Sequence, residues 1–254
     1  MRTIKSFYTN FLTSINRRRL KVDIANQGTH ATDTQMTTIQ QLRNSLQRKI
    51  DAWKQFRALY TPAVQLLEAG ISSPPHTMSD MIMPENTKLW LPSALCSHRT
   101  VDNQLLSIEW ELRYAQAGDA LEEMRQTLRL RGHMYSFKRD WIRGQSANTR
   151  ARNALGRVEA KAAAAAEKYR AARAALASLA LFLQKVGWDN KYKVLDKKDD
   201  VRGMSVPRNG ESEGRRNLSW IWLVEGVGED EDETVQDCKS EFWSGYTLMS
   251  FNGH

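Results

Sequence analysis

Few side chains in this 254-residue chain have the types and spacing that covalent chemistry needs. Two adjacent carboxylate pairs, Glu122-Glu123 and Asp199-Asp200, carry enough charge to hold a divalent cation or exchange protons. Neighbouring residues on a helix point apart, however, and neither pair has a third ligand suggested by the sequence. Cys96-Ser97-His98 joins two zinc-ligating types, but no second pair follows at a usable spacing. There is no Walker loop, no GxSxG and no HExxH. The expectation is therefore a protein that is not an enzyme and has no catalytic residues, no metal site and no cofactor. Cys96 and Cys238 are the only two cysteines, too few for a disulfide framework.

Charge offers a different chemistry. The formal net charge is +8, and its placement is uneven. From Arg125 to Arg173 there are thirteen bases against three acids (Asp140, Glu159 and Glu167), an excess of ten. Such an excess cannot be neutralised by internal ion pairs, so it faces solvent, a polyanion or an acidic partner. Lys138, Arg139, Arg143, Arg150 and Arg152 are the candidate phosphate contacts here. Arg17, Arg18 and Arg19 form a second basic cluster in an N-terminus with no acid before Asp23. Contacts of this kind to DNA are tolerant of sequence and sensitive to salt. The N-terminal cluster also fits a nuclear localisation signal or a mitochondrial presequence. Trp53, Phe56 and Tyr60 resemble a base-stacking platform, but their helical spacing favours a core stripe.

The elements that position these bases are helices. Leu155, Val158, Ala162, Ala165, Tyr169, Ala172, Leu176, Leu179, Leu183 and Val186 alternate at threes and fours, a stripe that only a packed helix can use. Alanine in its middle lets a partner helix approach closely. A second stripe runs from Ile39 to Leu67, with Pro62 kinking or restarting the helix behind a Thr61 cap. Polar residues from Gly28 to Thr34 read as the loop before it. Five of the six prolines fall between Pro74 and Pro92 or at Pro62, so residues 71–99 read as a connector, in which Lys88-Leu89-Trp90-Leu91-Pro92 is an apolar clasp. Beyond a Thr100 N-cap, two stripes share one helix: Leu105, Ile108, Leu112 and Ala115, then Trp110, Tyr114, Ala117, Leu121, Met124 and Leu128. Leu130, Met134, Phe137 and Trp141 continue its phase towards Arg143. The sequence leaves open whether residues 144–149 turn or continue the helix. Gly187 is placed to end the last long helix as its C′ residue.

The resulting expectation is an all-α fold. Three long antiparallel helices (38–69, 100–143 and 146–187) form an elongated, coiled-coil-like bundle, with a Pro-rich connector and an irregular C-terminal tail. Residues 1–36 form a basic N-terminal segment, 37–190 the bundle and 191–254 the tail. In that tail Ser219-Trp220-Ile221-Trp222-Leu223-Val224 docks on the helices, and an acidic block follows from Glu225 to Glu233. No apolar run is long enough to cross a membrane.

Several stretches resemble the C-terminal region of the fungal KDZ (Kyakuja–Dileera–Zisupton) transposase-like proteins. The matching text includes Arg17-Arg18-Arg19-Leu20, Leu46-Gln47-Arg48-Lys49-Ile50-Asp51-Ala52-Trp53 and Lys88-Leu89-Trp90-Leu91-Pro92-Ser93. It continues with Leu112-Arg113-Tyr114-Ala115-Gln116-Ala117, Asn148-Thr149-Arg150-Ala151-Arg152, Lys168-Tyr169-Arg170-Ala171-Ala172-Arg173 and Glu213-Gly214-Arg215-Arg216-Asn217-Leu218-Ser219-Trp220-Ile221-Trp222. The resemblance implies a transposon-derived nuclear protein. It also implies an RNase H-like catalytic core upstream of Arg17, where only sixteen residues stand, so the expectation is a part without that core. Two functions follow: a DNA-binding or assembly arm, or a structural coiled coil that pairs with itself or another helical protein and keeps a solvated basic face.

Overall fold

The alternating stripe from Leu155 forms the helix its spacing demands. In the computed structural model, which describes residues 2–26, 32–61, 64, 83–96, 101–196, 200–204 and 218–224, the fold is all-α, with no strand among the described residues. Long helices are α1 (Arg2–Asn26), α2 (Asp33–Tyr60), α4 (Asn103–Trp141) and α5 (Gln145–Leu183); short ones are α3 (Pro92–Leu95) and α6 (Trp188–Lys191). The three long helices expected are thus joined by a fourth, α1, in the basic N-terminal segment. Phe11, Leu20 and, less completely, Ile24 are turned inward there, but arginines and the buried Thr13 and Ser14 interrupt the apolar pattern.

Helix ends correct several expectations. Residues 33 and 34 belong to α2, not to the preceding loop. The Thr32 hydroxyl accepts from Gln35 N–H while the Gln35 side chain accepts from Thr32 N–H, a reciprocal cap that starts the helix early. That helix stops at Tyr60 before Pro62, and Val64 N–H reaches back to Thr61 O at 3.2 Å. The stripe beyond Val64 lies outside the described residues, as does Thr100. Helix α4 begins instead after Asp102, whose carboxylate accepts from Gln104 N–H at 3.0 Å. At the other end, α5 closes on Gln184, not Gly187. Gln184 has φ of 51°, and Lys185 N–H returns to Ala180 O at 3.1 Å, the hydrogen bond of a left-handed cap. Gly187, with φ of 83°, precedes α6. Leu155 through Leu179 of the stripe are buried, but Leu183 is only partly covered and Val186 is 95% exposed.

The chain divides into two compact units. One comprises residues 1–115 and 172–186, the other 116–171 and 187–254. In the first, Leu46, Ile50 and Trp53 of α2 pack with Leu20 of α1, with Leu105 of α4 and with Leu89 and Leu91 of the clasp. Trp53 Nε1 also donates to Leu89 O at 2.5 Å, so the indole that could have stacked on a base is a core residue. Part of the connector is regular, because Pro84–Asn86 forms a 3-10 turn and Pro92 starts α3.

In the second unit, residues 116–141 of α4 and 145–171 of α5 form a helical hairpin. The pairs Tyr135–Glu159 and Lys168–Glu123 have partners that run in opposite chain directions, as an antiparallel arrangement requires. Met134 packs on Leu155 and Val158 between them. The Trp220–Trp222 turn docks as expected, with Ile221 fully buried and Arg125 Nε donating to Ile221 O at 2.5 Å. Tyr192 and Leu195 are buried as well, Tyr169 OH donating to Lys193 O at 2.6 Å, so this part of the tail is packed.

Candidate nucleic-acid interface

The five bases from Lys138 to Arg152 sit at the turn of the hairpin in the second unit. Trp141 ends α4, Gly144 adopts a φ of 85° that favours glycine, and Gln145 begins α5. This settles the open question of residues 144–149 in favour of a turn at 142–144 and a new helix from Gln145. Helix α5 has no acidic residue in its first turn, and its first N–H groups lack intrahelical acceptors, so positive potential collects where the bases do.

Local bonding separates these bases into two sets. Arg139 pairs with Asp140 at 2.8 Å, which raises the guanidinium's affinity for its proton and holds the Asp140 carboxyl below its usual range. Arg143 turns back on α4 and donates to Arg139 O at 3.0 Å, Ile142 O at 3.1 Å and Asp140 O at 3.3 Å, capping the helix's last carbonyls. Lys138, Arg150 and Arg152 make no ion pair with any described residue. Arg150 and Arg152 are exposed and Lys138 is partly covered.

The sequence reading left two further bases out of the candidate set. Arg157 and Lys161 are exposed and also lack an ion pair to any described residue. With Arg150 they recur at intervals of seven and four, which places all three along one edge of α5. The same spacing rule that reveals the apolar seam would have shown this row. Lys168 continues it but is paired with Glu123 at 3.0 Å.

Arg17, Arg18 and Arg19 belong to the first unit and do a different job. Only Arg19 is exposed. Arg17 Nη1 donates to Thr87 O, and its Nε is buried without a partner. Arg18 lies near Arg113 and Glu109. Burial depresses its pKa to about 10, repulsion from Arg113 and Arg17 adds to the shift, and Glu109 opposes it. Arg17 and Arg18 thus face inward and are structural first.

The remaining chemical candidates stay scattered. No group of His, Cys, Asp or Glu suited to a metal occurs among the described residues. Cys96 is buried, its thiol donating to Pro92 O at 3.3 Å, while Ser97 and His98 lie outside the described residues. Glu122 and Glu123 are spent on different partners, Arg125 and Lys168. Asp200 accepts from Asp196 N–H at 2.7 Å; Asp199 and the acidic block lie outside the described residues. No described helix is long and apolar enough to cross a membrane. No family model, no curated protein and no solved structure matches the chain.

Proposed function

We propose that this chain is a non-catalytic, nuclear nucleic-acid-binding arm of a transposase-like protein, and that its hairpin turn and the adjoining edge of α5 grip the phosphate backbone of DNA. The transposase-like origin rests on the sequence stretches named above. One observation carries the binding: Lys138, Arg150, Arg152, Arg157 and Lys161 present cations that no described acid neutralises. Arg150 and Lys161 are eleven residues apart, so the row spans about 16 Å at 1.5 Å per residue, enough for several backbone phosphates. Titration of duplex DNA at rising salt tests the reading. A linear fall of log affinity with log salt is expected, and weak binding without that slope would overturn it.

A second reading has its own support. Leu181 (80% exposed) and Val186 (95% exposed) leave apolar surface at the end of α5, as a helical scaffold awaiting another helix would. A stable oligomer in light scattering that ignores DNA would favour it.

A further inference from the structure

Trp141 is the one tryptophan exposed among the described residues, with 75% of its surface open. The sequence placed it on the apolar phase of α4, but Ile142 is buried instead and the indole is left at the hairpin turn. Flanking it in sequence are Arg139, Asp140, Arg143 and Gln145, all exposed, so the open indole stands among polar and charged side chains, with the unpaired Lys138 three residues before it on α4. That is not the contiguous apolar patch a protein partner uses.

An aromatic face beside cations is how proteins hold unpaired strands, because bases stack on the ring while the cations track the backbone. In a duplex the base faces are covered by their neighbours, so an indole on a protruding turn reaches one only at an unpaired position or an end. We propose that Trp141 stacks on an unpaired nucleobase, so that the hairpin turn prefers DNA with a single-stranded segment next to the phosphates it contacts. This inference rests on the phosphate-binding reading and names the substrate form of the same site.

The test compares the parent chain with Trp141→Ala and Trp141→Phe on a blunt duplex and on the same duplex with a single-stranded thymidine extension. The extension is expected to tighten binding of the parent roughly ten-fold. Trp141→Ala should lose that gain and Trp141→Phe should keep most of it, while all three bind the blunt duplex equally. Circular dichroism checks folding, which replacement of an exposed side chain should leave intact. If the parent binds both probes equally with a normal salt slope, stacking is overturned and phosphate binding stands. If Trp141→Ala binds the extended probe as tightly as the parent, or loses equally on both probes, the assignment to Trp141 is overturned. If the parent shows no salt-dependent binding to either probe, both readings fall together.

Discussion

Glu109 caps α3 from a different helix: its carboxylate accepts the Ser93 N–H at 2.7 Å and the Ser93 hydroxyl at 2.8 Å. Pro92, at the first position of α3, has no N–H to satisfy, so Ser93 supplies the first donor that needs an acceptor. The same carboxylate accepts Arg113 Nε at 3.1 Å, and Arg113 lies 4.8 Å over the Phe11 ring. One fully buried acid therefore ties α1, α3 and α4 together. Glu109→Ala should cost about 3–5 kcal/mol, because it leaves a buried guanidinium short of its counter-charge and a partly buried N–H without this acceptor. Urea denaturation measures this. A loss below about 1 kcal/mol would mean that Ser93 and Arg113 find other partners.

Two positions near the C-terminal end of the α5 stripe should respond differently to charge. Leu179 is fully buried and Val186 is almost fully exposed, although the sequence pattern treats them alike. Leu179→Asp places an unpaired charge in the packed seam and should cost several kcal/mol. Val186→Asp should stay within about 0.5 kcal/mol of the parent. Thermal melts of the two variants decide it, and equal shifts would mean the stripe does not end where Gln184 breaks the helix.

Gln184 itself allows a stabilising change. Its left-handed backbone, at φ of 51°, is one that glycine adopts without strain. Gln184→Gly should add about 0.5–1 kcal/mol by making the C′ residue of α5 the preferred type. A lower melting temperature would show that the Gln184 side chain makes a contribution of its own.

These cases show what the sequence could and could not disclose. The seam from Leu155 to Leu179 was legible because side-chain burial on one helix repeats with the helix itself. Its end was not, since Gln184 is an unusual residue for a left-handed cap and Gly187 a more obvious one. Glu109 and Arg125 gave no signal either. Their partners include the backbone of Ser93 and of Ile221, and backbone groups leave no trace in the order of side-chain types. For the candidate interface, the concentration of bases between Lys138 and Arg152 was plain. Which of them cap a helix, and that Trp141 faces outward, depended on the turn at Gly144, a choice the sequence left open.

Arg18 carries a cost that mutation can remove. Its pKa is lowered to about 10, first by loss of solvent and then by Arg113 and Arg17, so its charged form is disfavoured in the fold. The penalty is complete below pH 10, where folded and unfolded chains both hold the proton. It fades as pH rises above about 10, where the unfolded chain keeps a proton that the folded chain has released. Arg18→Met should therefore stabilise the protein at neutral pH by roughly 1–3 kcal/mol, and the gain should shrink above about pH 10. Chemical denaturation at pH 7 and pH 10.5 checks both parts. Destabilisation at pH 7 would mean that the Arg18 charge is compensated.

The division of the bases at the hairpin turn gives the sharpest test of function. Lys138, Arg150 and Arg152 have no ion pair to a described residue, so replacing all three by Gln removes charge without breaking a described bond. If each contacts a phosphate, the log–log salt slope should flatten by about 0.9 per contact, or up to about 2.7 for the three. Arg139→Gln should have less effect, because Asp140 already neutralises that guanidinium. Arg143→Gln should mainly loosen the end of α4, whose carbonyls it caps, at a cost of about 0.5 kcal/mol. Arg18→Gln, directed at an inward-facing residue of the first unit, should leave DNA affinity unchanged. DNA titrations at several salt concentrations with each variant measure the slopes. If the triple variant keeps the parent's slope while Arg18→Gln loses affinity, the DNA contact lies with α1 and the bases at the hairpin turn are a solvated face.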